Sequence, residues 1–395
     1  MMSFSQLTED KGGKNLHLEH IEDEILNYGV DGGRASINFI QSLRDMLSGG
    51  ARSSINMTVK WDGAPAIFAG IDPEDSKFFV AKKSVFNVSP KLYKTNAEID
   101  ADLSGDLNEK FKVALAEFSK LGITGVLQGD LMYTSKDLST ETIDGISYYT
   151  FQPNTIVYAV STDSDLGKAM KKSKIGVVWH TTYTGSALQD MKASFGVNIS
   201  GLSEPSSVWM DDATYKDVSG RATFNEKETE QITEVLSQVG KTFQKISSPM
   251  LNKFLNLQNS MTGALISASL KTYNNSKVRA GEKIKNPKQH ARGYVDWVKQ
   301  SIQKQIDKAK SDKGKEKYTN IQKEYVREVT KHVNNLTQVI TFQNLLVDAK
   351  MQIVKKLNSV KGLTDTFIKT KNGFKVTNPE GYVAIDRVSG GAVKL

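Results

Sequence analysis

The sequence predicts an α+β fold: an antiparallel-sheet domain interrupted by an inserted α-helical bundle and preceded by a short helical segment. Three observations carry this expectation. Apolar residues recur at three- and four-residue spacing over residues 1–50 and 221–365, the period of amphipathic helices. Between these blocks, over 51–220, and again over 366–395, they fall in short β-rich runs bounded by Gly, Pro, Asp or Asn. The 24% charged and 38% hydrophobic composition is that of an ordinary folded chain, long enough at 395 residues for more than one core.

Each block can be justified in order. Ile21, Ile25 and Leu26, then Ile37, Ile40, Leu43 and Leu47, form the first helical stripe, and Gly49-Gly50 stops it. Strands are expected at Met57–Val59, Ala66–Phe68, Phe78–Val80, Gly125–Leu127, Thr155–Val160 and Gly176–Trp179. One helix, near Asn108–Lys120, interrupts them through Phe111, Val113, Leu115 and Phe118. The inserted bundle carries stripes at Ile232–Val239, Val295–Ile306 and Ile321–Ile340, then the apolar segment Leu345–Leu357. Asp312-Lys313-Gly314 reads as an interhelical turn. The final strands are Phe367–Lys369, Gly373–Val376, Tyr382–Ile385 and Ala392–Leu395.

Charge is unevenly placed. Lys271 to Lys317 holds 14 Lys/Arg against 5 Asp/Glu, which exceeds the whole chain's net charge of +8. Lys277, Arg279, Lys283, Lys285, Lys288 and Arg292 make this the expected contact for a polyanion, in particular nucleic acid. A lysine-rich solvated helix face is the plainer alternative. The absence of cysteine excludes disulfides, thiolate metal sites and cysteine nucleophiles, and fits a reducing cytoplasm. No 18-residue apolar run or signal-peptide pattern is present, so no membrane association is expected. P-loop, nucleophile-elbow and zincin motifs are missing.

Four short motifs carry chemistry. Lys60-Trp61-Asp62-Gly63 ends a strand with a lysine followed by an Asp-Gly turn, where Gly admits close backbone approach. Gln128-Gly129-Asp130-Leu131 ends another run. Tyr158 lies in an apolar strand, and Glu380-Gly381-Tyr382-Val383 precedes Ala392-Val393-Lys394-Leu395. A lysine amine must be uncharged when it attacks phosphorus, and a strand end fixes its direction.

In this order the motifs resemble those of the covalent lysine nucleotidyltransferases: DNA ligases, RNA ligases and mRNA-capping enzymes, with their ATP-grasp-like ligase fold. The resemblance implies that Lys60 forms a phosphoramide with AMP from ATP, or with GMP from GTP. It implies that Asp62 and Gly63 shape the nucleotide turn, and that Lys83 or its neighbour Lys82 contacts phosphate or the acceptor strand. Asp130, standing where the family has Glu, would accept from a ribose hydroxyl. Tyr158 would stack on the purine. Glu380 would position Mg²⁺, and Lys394 would bind the α-phosphate. The expected activity is an ATP-dependent polynucleotide ligase acting on RNA or DNA ends. The alternative is an inactive ligase-fold protein that binds nucleic acid or associates with a virion.

Three departures bear on this. Ala64-Pro65 stands where the family commonly has an Arg. Tyr158 and Glu380 are 222 residues apart, which the helical insertion accounts for. The sequence ends one residue after Lys394, without an OB-fold, which leans toward RNA ligases or a C-terminally shortened chain. The His-Leu-Glu-His start, Lys-Trp-Asp-Gly-Ala-Pro-Ala and Pro-Glu-Gly-Tyr-Val also resemble an uncharacterised tailed-phage protein family, which would place the protein in a host's cytoplasm. Finally, His17, Glu19 and His20 have helical spacing compatible with a metal, although acidic residues at a helix start equally suit its dipole.

Overall fold

The structure is a computed structural model that describes residues 19–48, 55–215, 223–280, 282–359, 363–371, 373–386 and 392–395. His17 and the Gly49-Gly50 stop lie outside these residues. The fold is α+β, as its element order requires. The chain divides into two compact units. A helical unit takes residues 19–53 and 224–353, and a strand unit takes 54–223 and 354–395.

The strand unit contains three sheets. The first orders β1 (Ile55–Lys60), β13 (Gly381–Asp386) and β14 (Ala392–Lys394) as β1-β13-β14, antiparallel throughout. The second runs β10-β8-β4-β2-β3, built from β2 (Ala66–Ile71), β3 (Phe78–Ala81), β4 (Val126–Thr134), β8 (Ile175–Thr184) and β10 (Val208–Asp211). Here β9 (Lys192–Phe195) also pairs with β8, and β8–β10 is the parallel pair. The third runs β12-β11-β7-β6-β5, from β5 (Ser139–Ile143), β6 (Ile146–Phe151), β7 (Val157–Ser161), β11 (Asp365–Thr370) and β12 (Gly373–Val376). The β5–β6 turn is Asp144-Gly145, both with positive φ, the two-residue hairpin geometry that Asp-Gly favours.

Strand β8 is buried along most of its length because both its faces are covered. On one side Phe111, Ala114 and Phe118 of α3 (Gly105–Phe118) pack with Trp179, Ile67 and Leu131. On the other, Trp61, Tyr133, Phe151, Tyr158 and Trp209 form an aromatic core. Two further short helices, α2 (Asn96–Asp102) and α4 (Asp165–Lys172), break the strand region where one was expected. Thr95 and Glu98 start α2 with a reciprocal capping box.

The helical unit packs α1 (Glu24–Leu47), α5 (Glu226–Phe243), α6 (Ser248–Asn259), α7 (Leu270–Arg279) and α8 (Pro287–Lys308) with most of α9 (Asp312–Asn358). The N-terminal helix therefore joins the bundle; it is not a segment by itself. Its amphipathic stripe buries Ile25, Phe39, Ile40 and Leu43, and amphipathic helices need such a partner. Phe254, Tyr294, Val298, Ile302, Val329 and Leu336 centre the core. The stripes at Ile321–Ile340 and Leu345–Leu357 belong to one 47-residue helix. Asp312-Lys313-Gly314 is the first turn of that helix, and the break precedes it. Ser311 Oγ accepts from the Gly314 N–H, which is N-cap chemistry that a turn reading of Asp-Lys-Gly misses.

The acidic residues Glu19, Glu22 and Asp23, just before α1, dock this bundle. Glu19 pairs with Lys271 (2.5 Å) and Glu22 with Lys350 (2.7 Å), while Gln343 donates to the buried Asp23 (3.2 Å). His20 is exposed. Among the described residues, no group of three or more His, Asp or Glu side chains is arranged to hold a metal ion.

Candidate active site

Lys60 is the last residue of β1 and sits opposite Gly381 of β13. That register brings Glu380 beside it, and the Lys60 ammonium and Glu380 carboxylate form a half-exposed ion pair. Val383 lies opposite both Thr58 and Lys394. Directly paired residues share a sheet face, and the face repeats every second residue, so Lys394 lies on the Lys60 face. Two strand spacings and two residues along the strand separate them, roughly 12 Å between Cα atoms.

The turn after Lys60 is anchored by its own residues. Asp62 is buried (8% exposed) and its carboxylate is fully engaged. Asn154 Nδ2 donates to Oδ1 (2.8 Å), and the N–H groups of Thr155 and Ile156 donate to Oδ2 (2.7 and 3.0 Å). The Asp62 N–H donates to the Tyr158 hydroxyl (2.6 Å). Asp62 thus ties the Lys60 turn to the start of β7 through three protein donors. Gly63 is required by proximity: a Cβ there would lie 2.4 Å from Asp130 Cβ. Gly129 is required in the same way, since its Cβ would meet the Val178 carbonyl at 2.5 Å. Two glycines, one in each motif, therefore let Asp130 sit against the lysine turn.

Lys60, Asp130 and His180 line one pocket of about 110 Å³, with Thr58, Phe195, Val383 and other apolar residues. His180 occupies a β-bulge: Gly129 pairs with Trp179 and Gln128 with Thr181, leaving His180 as the extra residue. Bulges of this kind re-aim one side chain out of the ladder. His180 Nε2 lies 3.9 Å from Asp130 Oδ1, and its Nδ1 lies 2.8 Å from Thr181 Oγ1. Burial pushes the His180 imidazole down to about 4, and the nearby Lys60 charge acts in the same direction. His180 is therefore neutral at pH 7, and its approach to Asp130 is not an ion pair. Burial pushes the Asp130 carboxyl up to about 7; Lys60 opposes this, and Glu380 and Asp62 add to it.

The other expected site residues are distributed differently. Tyr158 is a core residue, 2% exposed, with its ring stacked on Phe151 (5.4 Å) and tilted against Trp61 (4.9 Å). Phe151 and Trp61 cover its ring, which gives it a packing and anchoring role, and the residue also lines a cavity of about 220 Å³ beside β1 and β11. Burial also raises its hydroxyl pKa well above the ordinary value. Lys83 begins a 3-10 turn after β3, is exposed, and does not line the Lys60 pocket. Lys82 is committed to Asp102 (3.1 Å).

In the helical unit, Lys277, Lys283 and Lys285 line a groove of about 350 Å³ at the start of α8, over Tyr273 and His290. Lys277 pairs with Glu282 (2.9 Å). Tyr273 and His290 are buried and stacked on each other (4.3 Å), with His290 Nε2 2.8 Å from Asn274 Oδ1. Arg279, Lys288 and Arg292 are exposed but do not line this groove.

Of the residues lining the Lys60 pocket, His180 lies outside the four sequence motifs, and Trp61 and Val383 lie inside two of them without an assigned task. The available signals were a histidine ending the apolar run Ile175–Trp179 and a tryptophan beside the lysine. Among the described residues no helix is long and apolar enough to cross a membrane. No curated protein and no solved structure matches the chain. Residues 15–395 match a family of unknown function, DUF6267, and the chain belongs to that family.

Proposed function

We propose that this protein is a lysine nucleotidyltransferase of the polynucleotide-ligase type, using ATP or GTP. The observation that carries the reading is convergence: Lys60 pairs with Glu380, lines one pocket with Asp130 and shares a sheet face with Lys394, although the four positions are remote in sequence. A lysine paired to a single carboxylate at a strand end, facing a carboxyl of raised pKa and a neutral imidazole, is an arrangement for phosphoryl chemistry rather than packing alone. In this reading the Lys60 amine attacks the α-phosphorus, pyrophosphate leaves, and the nucleotide passes to a 5′-phosphate before a 3′-hydroxyl displaces it.

Glu380 is the carboxylate that would hold Mg²⁺; it is half-exposed and pairs with Lys60. The ion, when bound, neutralises charge on the phosphates. Asp130 would accept from the ribose, and Lys394 would neutralise the α-phosphate. The groove at Lys277, Lys283 and Lys285 would hold the nucleic acid through phosphates, RNA and DNA alike.

A second reading rests on size. The Lys60 pocket is smaller than the roughly 300–1,000 Å³ of sites for larger ligands, and Glu380 already occupies the lysine. A ligase-fold module that binds nucleic acid without turnover fits that closed geometry. Intact mass after incubation with ATP and Mg²⁺, beside GTP and Lys60→Ala, separates the two. A one-nucleotide adduct lost in the variant supports the transferase; no adduct with either nucleotide supports the module.

A further inference from the structure

The lysine groove of the helical unit lies at one end of α8, and a second cationic surface lies at the other. Lys304 and Lys308 are in the last turns of α8, Lys310 stands in the connection, and Lys313, Lys315 and Lys317 open α9. Gln322 donates to the Lys299 carbonyl (2.8 Å) and to Gln303 Oε1 (3.1 Å). These bonds clasp the two helices as a hairpin, with the six lysines around its tip. All six are exposed. None is in an ion pair among the described residues, although Asp307, Asp312 and Glu316 lie in the same stretch. Elsewhere in the unit, Lys271, Lys277 and Lys331 are each paired with a glutamate. The bare tip works against its own helices. Lys304 and Lys308, like Lys313 and Lys317, are like charges four residues apart, which is unfavourable on a helix. The three lysines that open α9 also oppose its dipole. A polyanion relieves both costs, and the packing of the bundle needs neither.

The spacing along α8 narrows which polyanion fits. Gln289 and Gly293 line the groove. From Gly293, residues Trp297, Gln300, Lys304 and Lys308 follow at three- or four-residue intervals, so the groove and the tip share one face of α8. Between them this stripe carries no lysine or arginine, and the exposed Asp296 borders it. The 22 residues of α8 span about 33 Å. The cationic surface is therefore two feet with a gap, not a continuous track. A nucleic-acid duplex turns its backbone back to the same side about every 34 Å. It can meet both feet with phosphate and cross the gap with a groove, and it is stiff over that length. A single strand has no such period, and ordering it across the gap costs entropy.

We infer that the groove and the α8–α9 tip grip the phosphate backbone of one nucleic-acid duplex at two places about one turn apart. The inference rests on the proposed nucleic-acid groove as its first foot, and not on the Lys60 chemistry. Because both feet hold phosphates, the grip selects a length and a shape of duplex, not a base sequence.

The test is a fluorescence-anisotropy titration of the intact protein with DNA duplexes from about 6 to about 16 base pairs at low salt, shorter and longer than one turn. Affinity should rise at least about tenfold as the length passes about 10 base pairs, more than the added binding positions alone give. Glutamine at Lys304, Lys308, Lys313 and Lys317 should abolish that rise and leave the shortest duplex bound within about twofold. On the longest duplex it should reduce the slope of log K against log salt by about 3 to 4. Arginine at the same four positions keeps the charge and should keep the rise. Alanine at Lys277, Lys283 and Lys285 should abolish the rise from the other foot. If that alanine variant matches wild type at every length while the glutamine variant weakens all lengths alike, the proposed groove is wrong and the two-footed grip falls with it. If the Lys60 chemistry is absent, no adduct forms yet the length dependence remains. A smooth rise with length, single strands of equal length bound as tightly, a glutamine variant equal to wild type throughout, or binding to anionic lipid vesicles and to no duplex overturns the inference.

Discussion

The two units handle charge in opposite ways. In the strand unit, two carboxylates of the site are recessed: Asp62 takes three protein donors, and Asp130 is wedged against Gly63. In the helical unit Glu19 and Glu22 lock the entry to α1 onto α7 and α9, while the basic groove residues Lys283 and Lys285 stand exposed. Each unit also buries one carboxyl whose pKa burial raises to about 7, Asp130 in the pocket and Asp23 in the bundle. The difference teaches where specificity is built. Fixed, desolvated groups suit chemistry at one atom, whereas exposed lysines suit a partner read through its phosphates.

Substitutions can break or sharpen this contrast. The largest effect is expected from Asp62→Ala, which strands three donors at a buried position. It should destabilise the strand unit by roughly 3 kcal/mol, on the order of 10 °C in Tm for a unit of this size. A melting curve that leaves the strand unit unmoved would remove Asp62 as the anchor.

Next comes the joint replacement of Lys277, Lys283 and Lys285 by alanine. Nucleic-acid affinity at low salt should fall about 10- to 100-fold, and the slope of log K against log salt should shrink by about 2 to 3. Tm should barely change, because these side chains hold no core. An unchanged salt slope would move the interface elsewhere on the protein.

Asp130→Asn has a pH signature. Because the folded carboxyl titrates near 7 rather than near its ordinary value of 3.8, its contribution to stability is complete below about pH 4. It is lost as pH rises through about 7. Asparagine cannot ionise, so the variant should gain on wild type from pH 5 to pH 8, by about 1–2 kcal/mol allowing for solvent screening of a partly exposed carboxyl. Equal pH profiles for the two proteins would mean that Asp130 is not held in its acid form. The smallest effect is expected from Tyr158→Phe, which removes the acceptor for one backbone N–H, about 1 kcal/mol, and leaves the ring packing intact. A much larger loss, read by chemical denaturation, would show that the hydroxyl does more than anchor Asp62.

Much of the architecture was legible from periodicity. Ile21–Leu47 and Ile321–Ile340 announced helices, and the strand runs at Met57–Val59 and Phe78–Val80 fall within observed strands. Boundaries that depend on capping were less legible, as at Asp312-Lys313-Gly314, where a helix start resembles a turn. The proximity of remote motifs was legible in part, as with Lys60 beside Glu380. It was not legible where pairing decides. Tyr158 reads the same in a sequence whether its ring is open or packed on Phe151. His180 gained its position from a bulge set by the partner strand β4, which no local pattern in Ile175–Thr184 encodes.

The central claim is that Lys60 carries the nucleotide, and peptide mapping tests it most directly. Protein incubated with ATP and Mg²⁺, then digested and sequenced by mass spectrometry under neutral conditions that preserve a phosphoramide, should carry AMP on the peptide spanning Lys60 and on no other lysine. AMP on a different lysine, or protein free of AMP after ATP and GTP alike, would contradict the account.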